Sequence, residues 1–174
     1  MAEKLDYSIG NLQDGQKVYV SKFETPITTR SPLIQTEPVV IPGLSAASAY
    51  ASGDALGRTF QIQVPTQGVL AAAFLSDMDK EDIATDFILF RHAPTSGTDN
   101  SAFDMADTDR YFPAGVITVS TFYDFSDNSL GVWYGARPYV APGGILWVQA
   151  VTRGAPNLTT VLDYSVSFVI EDRS

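Results

Sequence analysis

The sequence predicts an all-β protein, an antiparallel β-sandwich (jelly-roll-like) of about seven or eight strands preceded by an extended N-terminal arm. Three observations carry that expectation. Short apolar or alternating segments recur from Arg58 to Ile170, and a period of two places one face of each strand in a core. Gly, Pro, Asn and Asp separate these segments, which is the chemistry that turns demand. No helical periodicity long enough for a crossover lies between them, so a parallel βαβ sheet is not expected. The chain divides into an arm, residues 1–48, and a sandwich domain, residues 49–174.

The arm begins with a polar stretch up to Gln16, followed by the alternating Lys17-Val18-Tyr19-Val20-Ser21-Lys22-Phe23, readable as one strand. Pro26, Pro32, Pro38 and Pro42 come next. Each fixes φ and removes a donor, and the residue before each is pushed toward extended geometry. The same segment carries Ile27, Leu33, Ile34, Val39, Val40 and Ile41, with Leu44 beyond. Apolar side chains on a stiff, extended backbone are expected to lie on something. That is either their own domain or a neighbouring subunit, and the six named residues are the candidate partner contacts. Ser45 to Ala49 is a run of small residues that permits close backbone approach.

Tyr50-Ala51-Ser52-Gly53-Asp54-Ala55-Leu56-Gly57 is the hinge between arm and domain. Its glycines take positive φ without a Cβ clash, and Asp54 can bond the backbone two residues on. The strands then follow in order: Arg58–Val64, Gly68–Ser76, Asp86–Arg91, Gly115–Tyr123, Val132–Val140, Ile145–Val151 and Val161–Ile170. The second is nearly all apolar and is expected to be central. The strand carrying Pro138 is expected at an edge. Asn100 to Arg110 is polar and acidic, with a short helix expected around Asp104–Asp109. Trp147 sits in an apolar run and is expected in the core.

Composition narrows the function. Hydrophobic residues make up 45% of 174 and charged residues 18%, enough apolar side chain for a real core and too little charge for a disordered chain. The net charge of −9 argues against nucleic acid or an anionic membrane as partner, because both need clustered Lys and Arg. There is no cysteine, which removes disulfides, thiolate metal sites and a cysteine nucleophile. Met1-Ala2-Glu3-Lys4 opens without an apolar secretory region. No stretch reaches the ~18–20 apolar residues of a membrane span.

Catalytic and metal motifs are incomplete. His92 is the one histidine, so any Ser-His-Asp mechanism would need it as base. Gly43-Leu44-Ser45-Ala46-Ala47 lacks the second glycine of a nucleophile elbow. Acids crowd Asp77-Met78-Asp79-Lys80-Glu81-Asp82, and again Asp99, Asp104, Asp107 and Asp109. Loop carboxylates can hold calcium, but neither loop has EF-hand spacing. Solvated loops with Asp107 or Asp109 capping a short helix are the expectation. Aromatics are dense late in the chain. Trp133 and Tyr134 must point to opposite faces of one strand. With Tyr139, they are candidates for a surface or subunit contact.

Several pieces in order carry a resemblance. They are the hinge Tyr50–Gly57, Gly68-Val69-Leu70 and Asp77 bounding one strand, and Leu89-Phe90 in the next. Asp107 and Asp109 precede Gly115, and Leu146-Trp147 precedes Thr152-Arg153-Gly154-Ala155-Pro156. This layout, over about residues 48–172, resembles small β-sandwich structural proteins of tailed bacteriophages, some of which decorate or cement the head shell. The resemblance implies a virion component made in the host cytoplasm, a homotrimer contacting the major capsid protein or other virion subunits. It implies no cofactor and no catalytic residue. A tail or baseplate component, a carbohydrate-binding module for a host surface, and an enzyme are the competing readings.

Overall fold

A computed structural model describes residues 32–46 and 49–174. Its described residues form ten strands: β1 (Leu33–Gln35), β2 (Val39–Val40), β3 (Ala55–Gln63), β4 (Gln67–Asp77), β5 (Thr85–Phe90), β6 (Pro113–Val119), β7 (Thr121–Asp124), β8 (Ser129–Val140), β9 (Ile145–Thr152) and β10 (Tyr164–Asp172). The larger sheet has six strands in the order β1-β10-β4-β8-β7, with β2 also on β10; the smaller has the order β3-β9-β5-β6. Every strand pairing in both sheets is antiparallel. The fold is the all-β sandwich that the alternation predicts.

Alternation decides what lies between the sheets. Leu70, Ala73 and Leu75 of β4 and Tyr164, Val166, Phe168 and Ile170 of β10 join one buried cluster. Phe87 and Leu89 of β5 and Leu146, Val148 and Ala150 of β9 meet them from the smaller sheet. Phe87 and Phe168 pack edge to face with centroids 5.9 Å apart. Each such side chain taken fully out of water contributes about 1.5–3 kcal/mol.

Three expectations need correction. The Gly115–Tyr123 segment is two strands, β6 and β7, in different sheets. Ile117 and Val119 face the core, and the next core contact is Phe122; that change of phase at Ser120 carries the chain from one sheet to the other. The helix expected at Asp104–Asp109 is a three-residue 3-10 turn at Asp109–Tyr111. Pro138 lies on a strand that is one in from the edge. However, β7 covers only Ser129–Val132 of β8, so Pro138 occupies the stretch whose outer side carries no strand partner.

The arm is corrected most. Leu33–Gln35 and Val39–Val40 pair with β10, so this part of the arm belongs to the sandwich. The compact unit runs from Ser31 to Ser174, not from residue 49. Ile41 is fully buried and Leu44 nearly so, and Val39 packs on the core. Ile41 is therefore a core residue and no partner contact. Pro32 and Pro38 are tolerated because they flank the edge strands β1 and β2. Between β1 and β2 the Thr36 hydroxyl accepts the Phe168 N–H at 3.0 Å and keeps the ladder satisfied past Glu37-Pro38. Ile27 and the Lys17–Phe23 segment lie outside the described residues.

The hinge fixes this seam. Gly57 has φ of +64°, and a Cβ there would sit 2.4 Å from the Pro42 carbonyl oxygen. The approach lets the Arg58 N–H donate to that carbonyl at 2.7 Å. Among the described residues no helix is long and apolar enough to cross a membrane.

Truncating Ile41 to Ala should lower stability by about 2–5 kcal/mol, the range for emptying a packed aliphatic site. Leu33→Ala, at an exposed position, should stay within about 0.5 kcal/mol. Urea unfolding followed by tryptophan fluorescence separates the two, and equal effects would refute the burial assignment.

Candidate functional site

The outer faces of the two sheets differ. Residues 91–112 cross the outside of the smaller sheet. Phe103 and Met105 pack there with Trp147 on Ile88, Phe90 and Val151. Trp147 is thus partly buried under a loop, outside the central core where the sequence reading placed it. Buried Gln149 accepts the Gly97 N–H at 3.2 Å and donates to the Ala150 carbonyl at 2.9 Å. One Asp99 carboxylate oxygen accepts the Tyr50 hydroxyl at 2.9 Å and the Gly57 N–H at 2.7 Å. Burial, chiefly, with Asp99 beside it, raises the Tyr50 pKa and keeps the phenol protonated. Asp109 is buried and accepts the Thr95 N–H at 2.7 Å. These two acids fasten a loop. Asp86, held by Arg153 and by the Thr118 hydroxyl, ties β5, β6 and the end of β9 together.

No described element crosses the larger sheet's outer face. The register lays out its rows. One row is Gln35, Val169, Ala72 and Tyr134. A second is Ser167, Phe74, Val132 and Thr121, and a third is Val40, Ser165, Ser76, Leu130 and Tyr123. None of these residues is charged. Tyr134 is 68% exposed and meets Phe74 edge-on with centroids 6.1 Å apart. Trp133, its neighbour, turns inward against the core. Alternation thus separates the pair as expected. Tyr139 does not join them: it is 5% exposed, and its hydroxyl is buried without a partner. Burial, with Asp172 nearby, pushes its pKa up to about 12. Tyr139 is a core residue and no surface contact. Leu33, Ile34 and Val40 line the exposed edge of this sheet.

The catalytic candidates stay apart in role. His92 stacks edge-on against Phe112 with centroids 4.8 Å apart. The Ser45 N–H donates to the Tyr50 hydroxyl oxygen at 2.9 Å, next to the loop that Asp99 anchors. Clefts near the sheet ends are lined by described residues. One, of about 400 Å³, is lined by Arg91, Pro113, Ala114, Pro138, Tyr139 and Val140. The other, of about 450 Å³, is polar and includes Arg58, Ser96, Thr98 and Asp99. No family model matches the chain, and no curated protein and no solved structure matches it either.

The first acidic loop is built around buried carboxylates. Asp77, fully buried, accepts the N–H groups of Asp79 and Asp82 at 3.2 and 2.9 Å. Its pKa is raised, mainly by burial. Asp163 accepts the Thr160 N–H and hydroxyl at 2.6 and 2.8 Å. Asp79 accepts the N–H and hydroxyl of Thr159. Asp79 and Asp163 are neighbours, and burial, followed by the Asp79 carboxyl, raises the pKa of Asp163. Among the described residues no three of the acidic side chains converge to hold a metal ion. Sequence reading missed that this end also exposes Met78, Phe125, Val161 and Leu162. Isolated apolar residues in polar loops were the available signal.

A raised pKa means that the folded chain binds the Asp163 proton more tightly than the unfolded chain. That stabilisation is present below the ordinary carboxylate pKa and is lost as pH rises through the folded value. Asp163→Asn should therefore flatten the fall in melting temperature as pH rises above the ordinary carboxylate pKa of about 4. An unchanged slope would show that the proton lies elsewhere.

Proposed function

We propose that this chain is a non-enzymatic structural protein of a virion, most specifically one that decorates or cements a bacteriophage head shell. The observation that carries the reading is the outer face of the six-stranded sheet, uncharged over its three central rows and bearing Glu171 in the row of Leu33, Val69 and Pro138, with exposed Leu33, Ile34 and Val40 along its edge. A largely uncharged sheet face suits another macromolecule better than a small substrate, which is normally held in a concave site. The net charge of −9 fits a particle component that must not clump. The ordered motif layout from the hinge to Pro156 supports the same assignment. The partner in this reading is the major capsid protein, met by the sheet face and its β1–β2 edge.

The expected outcome is a copy number comparable to that of the major shell protein, counted by quantitative peptide mass spectrometry on purified particles. A count far below it would move the chain to the tail or baseplate. Absence from particles would end the virion reading. Exposed Tyr134 above Phe74 also favours a second reading, a platform for stacking a sugar ring. That reading requires Tyr134→Ala to abolish retention on a glycan array while the fold survives; an array that retains nothing removes it.

A further inference from the structure

Unpaired strand edges invite other strands, and most edges of this fold are short or occupied. β1, β2 and β7 have three, two and four residues. On β3 the Gly57, Arg58 and Thr59 N–H groups donate to Asp99, to the Pro42 carbonyl and to Ser96. β8 differs. β7 pairs only with Ser129–Val132, so the stretch Trp133–Val140 carries no strand on that side among the described residues. Tyr134, Gly135, Ala136, Arg137 and Pro138 are all exposed, where a half-buried strand would alternate. A cleft of about 400 Å³ runs beside this edge, lined by Pro138, Tyr139 and Val140 of β8 and by Pro113 and Ala114 of β6.

The ladder decides which backbone groups face the open side. In an antiparallel pair, opposite residues alternate between exchanging both hydrogen bonds and exchanging none. The register runs Gln67 with Val140, Gly68 with Tyr139, Val69 with Pro138 and Leu70 with Arg137. One step beyond, the Ala141 N–H donates to the Thr66 carbonyl at 2.8 Å, which makes those two a bonded pair. Tyr139 and Arg137 therefore turn their N–H and C=O groups toward β4, while Val140 and Pro138 turn theirs to the open side. Proline has no N–H. At Pro138 the bonding to β4 loses nothing, and a strand arriving from outside finds no donor. Arg137 is a second obstacle. Its stem crosses to β6, where a Cβ on Gly115 would come within 2.9 Å of its Cδ. It forms no ion pair among the described residues, so its charge stands uncompensated at the edge.

We infer that Pro138 and Arg137 hold shut an interface that this chain would otherwise form with a second copy of itself, through the Trp133–Val140 edge of β8. A second copy is the occupant because an antiparallel strand edge is its own complement: a twofold axis set across it pairs one edge with the other. The contact is isologous, so each copy brings its proline and its arginine to the same seam. Two donors are then missing from that seam and two like charges lie in it, which is unfavourable. The rest of the stretch is competent to pair: Val140 offers its N–H and C=O outward, and exposed Tyr134 and Val140 supply apolar side chains. The device acts on this edge alone, and it holds whether or not the larger sheet's outer face meets a shell.

Full-length variants test the inference. Arg137→Thr/Pro138→Thr restores the outward N–H and removes the charge. Sedimentation velocity over a range of concentrations compares it with wild type. A twofold contact regains the donor twice, so the variant should associate through this edge at least about tenfold more tightly than wild type. It should form a larger species at concentrations where wild type does not. Adding Val140→Pro moves the proline to the neighbouring outward position and should return the chain to the wild-type mass. Amide hydrogen exchange at positions 138 and 140 should slow as the double variant associates. Circular dichroism confirms that each variant is folded, and a misfolded aggregate would not be reversed by a second proline. Where threonine disturbs the fold, Pro138→Ala restores the same N–H and is read in the same way. An unchanged mass in the double variant, association that survives Val140→Pro, or exchange at 138 and 140 that does not slow would each overturn the proposal.

Discussion

The inward row of β10 is the interaction on which the rest depends. Tyr164, Val166, Phe168 and Ile170 are all buried in the main cluster, and Phe168 meets Phe87 from the opposite sheet. The same strand is paired along both sides, with β4 on one and with β1 and β2 on the other. One strand therefore joins the sheets through its side chains and joins the proline-bearing segment to the domain through its backbone. The apolar row is what makes the backbone pairing hold, since edge strands of two or three residues have no independent stability.

The two outer faces follow from how the chain spends its long connections. The segment between β5 and β6 folds over the smaller sheet, and its acids are consumed in fastening it. Asp99 holds the hinge through Tyr50 and Gly57, and Asp109 holds the start of the same segment. No connection of comparable length serves the larger sheet among the described residues. Its three central outer rows stay neutral, while charge collects toward the strand ends, as at Glu171. A sandwich arranged this way has two unlike faces, one largely uncharged and one covered by a loop. Every reading of its role has to use that asymmetry.

Much of this was legible in the residues. Alternation located the strands of the domain, and it separated Trp133 from Tyr134 because successive side chains oppose. The same rule places Tyr139 on the inward side with Trp133, yet a cluster of late aromatics reads as surface until the core is seen. The break at Ser120 was hidden because serine is compatible with a strand, and only the phase of Ile117, Val119 and Phe122 records it. The prolines concealed β1 and β2, since local propensity says nothing about pairing across more than 120 positions, as between Gln35 and Val169. The acidic cluster was illegible for the same reason. Asp77 and Asp163 come to one end only once β4 and β10 are paired.

The position of β10 in the chain has a consequence for synthesis. It is the last strand in sequence order, yet it is an interior strand of the larger sheet. While the chain is being made, β4 has only β8 beside it, and β1 and β2 have no backbone partner at all. The larger sheet's interior edge stays open until residues 164–172 leave the ribosome. Such an edge is a template for pairing with other chains. A chain in which β10 has not yet docked is therefore open to pairing with its own copies. Docking of β10 closes that edge and leaves only the contacts of the finished surface.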